Sequence, residues 1–239
     1  MPRFLRPARR GSRLPADLDA ATAAICRDVA ACTMTSAERI AALVDAVRHV
    51  SRHAIPGDVV ECGVWRGGSM MAAARTLLEC GDMRRLHLFD TFAGMPPPAD
   101  VDRDRSGTRA ADLLAAADRE TSSIWACSPL DDVRRNVLGT GYPAELVEFV
   151  VGRVEQTVPE RAPETIAILR LDTDWYESTK HELVHLYPRL VVGGVLIIDD
   201  YGHWQGARRA VDEYLAETGV RLLLTRIDAT GRIGVKLDP

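Results

Sequence analysis

Two short acidic clusters carry the chemistry this chain could do: Asp172-Thr173-Asp174, with Glu177 shortly after, and Asp199-Asp200. Each follows an apolar run of strand length, one over 166–171 and one over 191–198. If those runs are neighbouring parallel strands, their ends lie about 5 Å apart. Three or four carboxylates then converge on one small volume. Such a group is costly unless a cation neutralises it or protons are taken up. All the donors are oxygen, with neither Cys nor His in the motif. That favours a hard cation, Mg²⁺ first, with Mn²⁺ or Ca²⁺ as alternatives. The competing reading is a row of helix N-caps on an acidic rim.

A second group lies upstream. Glu61-Cys62-Gly63-Val64-Trp65-Arg66-Gly67-Gly68-Ser69 leads from an apolar strand into a helix. Glycines let the backbone turn tightly and approach a ligand, and the helix start offers free N–H groups. The spacing of Gly63, Gly67 and Gly68 is not G-x-G-x-x-G. Glu61 at the strand end would repel a pyrophosphate and suits a ligand carrying an ammonium or sulfonium. Asp90 closes the next strand, where an acid can accept hydrogen bonds from ribose hydroxyls of NAD or S-adenosylmethionine alike. A cation beside an adenosine site points to group transfer onto an oxygen. The metal lowers the hydroxyl's pKa and a carboxylate takes the proton. Asp174 can stand beside the metal without being a ligand. Hydride transfer needs no acid cluster, and the phosphate loop G-x-x-x-x-G-K-[ST] is absent.

The elements that must position these residues follow from periodicity. A helical pattern covers about 17–50, with Thr35-Ser36 before Glu38 as a helix-start signature. Strands are expected at 58–64, 85–90, 146–151, 166–171 and 191–198. Helices are expected at 70–78, 110–119, 129–138, 181–190 and 207–217. Two late strands, 222–227 and 232–236, flank the turn Asp228-Ala229-Thr230-Gly231. This alternation predicts an α/β fold: a mostly parallel sheet with an antiparallel C-terminal edge strand and helices on both faces. Ligands of such sheets bind at the carboxyl ends of the strands, where both groups fall. The long loop after Asp90, with Pro96-Pro97-Pro98, predicts a lid near 92–130.

Composition narrows the class. Lys and Arg number 30 against 34 Asp and Glu, a formal charge of -4, which opposes a nucleic-acid partner. No apolar run is long enough to span a bilayer, so no membrane partner is expected. Five Cys without a C-x-x-C suggest reduced thiols and a cytoplasmic location. Residues 1–16 are Arg- and Pro-rich without the apolar core of a secretory signal and read as a disordered tail. Residues 17–239 read as a single domain.

Five blocks in order, GDVVECGVWRGGSMMAAA, LHLFDTFAGMP, LRLDTDWYESTKHELVHLYPRL, GGVLIIDDYGHWQGARRAVDEYL and TGRIGVKL, resemble the macrocin O-methyltransferase family. The resemblance runs from about residue 33 to the C-terminus. It implies a class I methyltransferase Rossmann-like sheet, S-adenosylmethionine as cofactor, and Mg²⁺-dependent methylation of a deoxysugar hydroxyl on an antibiotic scaffold. By that resemblance Asp172, Asp199 and Asp200 match the metal ligands and Asp174 the general base. Glu61, Gly63, Ser69, Asp90 and Thr91 fall in cofactor-binding blocks, with Trp65 and Gly67 in the same loop and Asp172 at its far side. Thr33-Met34 resembles a segment closing over the cofactor, and Gly152-Arg153-Val154 the adenine-side loop. The implied partner is a small-molecule glycoside, and the implied assembly a homo-oligomer, dimer or tetramer. Tyr201, His203 and Trp204 are candidates for the acceptor pocket or for plain packing. Three alternatives stand beside this reading: a catechol-type methyltransferase, a cofactor-binding protein without catalysis, and a nucleic-acid methyltransferase, the last opposed by the acidic balance.

Overall fold

Along each strand, alternate residues feed two different cores. In a computed structural model that describes residues 14–238, Val59, Leu88, Ile168 and Ile197 pack with Ile25, Val44, Met70 and Val133. Val60, Phe89, Leu169 and Leu196 pack with Val154, Leu183 and Val211. Each fully buried aliphatic side chain of this kind stabilises the fold by about 1.5–3 kcal/mol. The expected tail at 1–16 lies almost wholly outside the described residues.

The elements run α1 (Ala20–Val29), α2 (Ala37–Arg52), β1 (Asp58–Cys62), α3 (Gly68–Cys80), β2 (Leu86–Asp90), α4 (Ala110–Ala115), α5 (Leu130–Leu138), β3 (Val147–Val151), α6 (Val154–Thr157), β4 (Ile166–Leu171), α7 (Tyr176–Leu186), β5 (Leu190–Ile198), α8 (Gln205–Thr218), β6 (Thr225–Arg226) and β7 (Arg232–Val235). The sheet order is β3-β2-β1-β4-β5-β7-β6. Its first five strands are parallel, and β7 runs antiparallel to β5 and β6. Helices α1, α2, α3 and α5 cover one face and α6, α7 and α8 the other. The strand order reverses between β1 and β4, so the switch point is where the glycine loop and the first acidic cluster meet. Among the described residues no helix is long and apolar enough to cross a membrane.

Several boundaries differ from the periodic pattern: the 17–50 pattern divides into α1 and α2, β1 stops at Cys62 and α4 at Ala115, and three further differences have a local reason. Helix α7 begins at Tyr176 rather than at 181 because a remote carboxylate caps it: Asp102 Oδ1 accepts from the Tyr176 N–H at 2.8 Å, meeting one of the first turn's unpaired donors. It ends at Leu186 because Pro188 confines the next residues to a short 3-10 turn. The first late strand shrinks to Thr225–Arg226, since the Leu224 N–H turns back to the Leu222 carbonyl at 2.9 Å instead of joining the ladder.

At the end of β1 the chain approaches the end of β4 too closely for a side chain. Gly63 sits at φ +81, and a Cβ there would lie 2.0 Å from the Asp172 carbonyl oxygen. The Asp172 N–H donates to the Cys62 carbonyl at 2.9 Å, which fixes that approach. Left-handed φ alone costs a non-glycine residue about 1–3 kcal/mol. Gly63→Ala is therefore expected to lose at least about 3 kcal/mol in urea unfolding. A loss near zero would contradict the close approach.

Candidate active site

The Asp172, Asp174 and Asp200 carboxylates converge, each offering an oxygen within 4.8 Å of the others. Asp172 follows β4. Asp174 adopts φ +68, a left-handed conformation that Asp tolerates better than most residues. The Trp175 N–H closes the turn onto the Thr173 carbonyl at 2.8 Å. Asp200 follows β5, and its Oδ2 is buried without a hydrogen-bond partner. Burial raises all three carboxyls. Asp174 is pushed up to about 7, with the charges of Asp172 and Asp199 adding to burial. Asp172 and Asp200 rise well above the usual carboxylate range, first from burial and then from the charges of neighbouring aspartates, although Arg170 pulls Asp172 down.

Asp199 is not part of that convergence. It adjoins Asp200 at the strand end, where successive side chains point to opposite sides. Its oxygens accept from Arg39 and Arg170, and from the Thr35 hydroxyl at 3.1 Å. The expected trio of Asp172, Asp199 and Asp200 is thus divided, and Asp174 takes the third place beside the other two.

Arg170 organises the interior of the site. Only 3% exposed, it reaches Glu61 Oε1 and Asp172 Oδ2, each at 2.6 Å, and Asp199. Arg39 extends the network to Asp228 at 3.0 Å. The cation that Glu61 faces is therefore the chain's own guanidinium. Burial pushes the Glu61 carboxyl up to about 7 against the pull of Arg170 and Ser69, and its Oε2 has no hydrogen-bond partner. Sequence reasoning missed Arg39, Arg170 and Asp228. For Arg170 a signal existed: one arginine inside the otherwise apolar run 166–171, next to an acid.

The remaining cofactor candidates fall along the β3-β2-β1-β4 edge. Asp90 Oδ2 accepts from the Val64 and Trp65 N–H groups at 2.6 and 3.1 Å, and Oδ1 from Phe92 N–H at 2.7 Å. The expected ribose acceptor thus also holds the glycine loop in place. Trp65 and Phe92 both take positive φ, as do Gly63 and Gly67. Thr91 Oγ1 donates to the Gly94 carbonyl at 2.7 Å. Gly68 N–H donates to the Cys32 carbonyl at 2.9 Å, bringing the Thr33-Met34 segment beside the loop; Met34 is exposed. Gly152 N–H donates to the Asp90 carbonyl at 3.0 Å, which sets Arg153 beside β2, paired with Glu155. Gly67, Ser69 and Val154 are buried.

Past β5 the surface opens into a cavity of about 490 Å³ lined by Arg105, Tyr201, His203, Trp204 and Arg208 among others. The long loop after β2 contributes Arg105 to its lining. Asp102, fully buried, pins that loop to the start of α7, and the Trp175 indole N–H donates to the Pro96 carbonyl at 3.0 Å. Trp175 and Trp204 meet edge-on at 4.9 Å. A larger cavity of about 1130 Å³, lined by Asp58 and Arg84 among others, lies at the opposite end of the sheet, away from the strand-end acids.

The family model described as macrocin-O-methyltransferase (TylF) matches residues 10–234. The chain belongs to the macrocin-O-methyltransferase family. Among this family member's relatives, demethyldecarbamoylnovobiocin O-methyltransferase of Streptomyces niveus is 37% identical over 201 residues, spanning 83% of this chain and 73% of that protein. Mycinamicin III 3''-O-methyltransferase of Micromonospora griseorubida is 36% identical over 201 residues, 83% of this chain and 76% of that one. The structure of the O-methyltransferase NovP superposes with a TM-score of 0.73 at 34% identity, covering 87% of this chain and 83% of that one. At 13% identity, TomG in complex with SAM shares the fold alone, with a TM-score of 0.53 over 92% of this chain and 91% of its own. The chain thus has a methyltransferase fold shared with a protein solved in complex with SAM, and by family it is an O-methyltransferase.

Proposed function

We propose that this family member transfers a methyl group from S-adenosylmethionine to a hydroxyl of a deoxysugar on a glycosylated natural product, with the help of a divalent cation, Mg²⁺ first. The observation that carries this reading is the convergence of Asp172, Asp174 and Asp200 beside the glycine-loop edge. The relatives' names support the sugar: one acts on demethyldecarbamoylnovobiocin, one at the 3'' oxygen of mycinamicin III, and one at the 4' oxygen of a tetracenomycin carrying a dimethoxyrhamnosyl group.

The residues present fit a hard cation. Their donors are all carboxylate oxygens, and the buried Asp200 Oδ2 is without a hydrogen-bond partner. Asp172 and Asp200 would hold the ion. Asp199 joins them only by exchanging Arg39 or Arg170 for it. The cofactor would lie along the edge formed by Arg153, Asp90, Thr91, Trp65 and Gly63, with Thr33 and Met34 across from it. When bound, the cofactor supplies a methyl on a sulfonium and the cation lowers the pKa of an acceptor hydroxyl. Asp174 takes the hydroxyl proton. Without the cation, burial and the neighbouring carboxylates hold its pKa at about 7; a cation alongside would lower it and leave the carboxylate free to accept the proton. Tyr201, His203 and Trp204 shape the acceptor side, and segment 92–130 walls it from water. All five cysteines are free thiols, in keeping with a cytoplasmic enzyme, and we place it there as a homo-oligomer.

The pH dependence follows from the raised carboxyls. A carboxyl whose folded pKa exceeds its unfolded value binds its proton more tightly in the native state. The stability it contributes is present at low pH and is lost as pH rises through the folded value. Without a cation, the Asp174 contribution is therefore lost between about pH 4 and pH 7. Mg²⁺ should raise the melting temperature more at pH 8 than at pH 5.5, measured by calorimetry; an equal shift would contradict the cluster as its site. The acceptor is tested with radiolabelled S-adenosylmethionine and a panel of deoxysugar glycosides, matched aglycones and a catechol. Label in the glycosides alone is expected. Label in the catechol or the aglycones would overturn the sugar reading.

A further inference from the structure

Glu182 is a carboxyl in the wrong environment for one. It lies in α7 with 0% exposure, next in sequence to the buried Leu183, and close to the buried Cys62 thiol. Burial pushes it well above the usual carboxylate range. An apolar side chain would fill this space without the cost of desolvating a polar group. Its Oε1 accepts from the Thr173 hydroxyl at 2.9 Å, while Oε2 is buried without a hydrogen-bond partner.

Thr173 is the residue between Asp172 and Asp174. Its carbonyl accepts from the Trp175 N–H at 2.8 Å and from Ser178 Oγ at 3.4 Å. Its hydroxyl is tethered inward by Glu182. Thr173 is thus held at both its carbonyl and its hydroxyl, and the aspartates that flank it each offer an oxygen within 4.8 Å of Asp200. The left-handed backbone of Asp174 persists only where its surroundings over-determine it, and this tether is one such constraint.

We infer that Glu182 is a positioning residue: through Thr173 it sets the relative placement of the Asp172 and Asp174 carboxylates that receive the cation. This inference rests on the cation reading above and adds a residue with no direct contact to the reacting groups. Partners behind first ligands commonly change metal affinity by 10–100-fold.

The test is Mn²⁺ titration of the full chain, followed by electron paramagnetic resonance of the free ion. The variants are Glu182→Gln, Glu182→Ala, Thr173→Val and the double Glu182→Ala/Thr173→Val, each first checked for folding by circular dichroism. Glu182→Ala and Thr173→Val should each weaken Mn²⁺ binding about tenfold. The double variant should be no weaker than either single one, because both remove the same tether. Glu182→Gln keeps an acceptor oxygen for the Thr173 hydroxyl and should bind within about twofold of wild type. Unchanged affinity in Glu182→Ala, additive losses in the double variant, or failure of Gln to rescue would each overturn the positioning role alone. Failure of the wild-type protein to bind Mn²⁺ would instead overturn the cation reading, and this role with it. If Glu182→Ala does not fold, Thr173→Val and Glu182→Gln decide the matter by the same criteria.

Discussion

Asp174→Asn is expected to lower kcat by about a thousandfold while leaving S-adenosylmethionine affinity nearly unchanged. General-base catalysis contributes about 10²–10⁴-fold, and an amide cannot accept the proton. The substitution is close to isosteric, and Asn tolerates left-handed backbone as Asp does, so the φ of +68 carries little new strain. Asp174 also stands apart from the Asp90 and glycine-loop contacts that define the cofactor edge. Single-turnover kinetics and calorimetric cofactor binding check both halves. A kcat within tenfold of wild type would place the base elsewhere. Lost cofactor binding would show that Asp174 supports the whole site instead.

Stripping divalent cations with EDTA should slow methyl transfer about a hundredfold, and Mg²⁺ should restore it. Stabilising charge on the acceptor oxygen by about 3 kcal/mol corresponds to that factor. Without a cation, the clustered Asp172, Asp174 and Asp200 carboxyls hold protons instead. The base is then partly neutralised at the pH where it is needed. Asp200→Asn should raise the Mg²⁺ concentration for half-maximal rate, since Asp200 Oδ2 is otherwise unpartnered. Full activity after exhaustive chelation, confirmed by elemental analysis, would remove the cation from the mechanism.

Much of this site could be read in the sequence because its residues sit at strand ends. Alternation of strands and helices placed 58–64, 85–90, 166–171 and 191–198 in one parallel sheet, and their carboxyl ends meet at the switch point. The antiparallel edge was readable from the Asp228-Gly231 turn, where Asp228 Oδ1 accepts from Thr230 N–H at 2.9 Å and from Gly231 N–H at 2.7 Å. What could not be read depends on partners remote in sequence. Asp199 and Asp200 are equivalent on paper, and only the positions of Arg39 and Arg170 show which one turns inward. Glu61 looked suited to a ligand cation because nothing local announces that Arg170 reaches it from the neighbouring strand. The start of α7 was hidden for the same reason, since its capping carboxylate, Asp102, comes from the distant loop.

The central claim is that the carboxylate cluster, with a divalent cation, directs methylation to a deoxysugar hydroxyl. Transfer from S-adenosylmethionine carrying a ¹³C methyl, followed by long-range carbon–proton correlation on the product, tests it most directly. A single labelled O-methyl on a deoxysugar ring carbon is predicted, formed about a hundredfold more slowly when cations are chelated. Label on an aglycone phenol or on nitrogen, or labelling of the sugar at an undiminished rate after chelation, would contradict it.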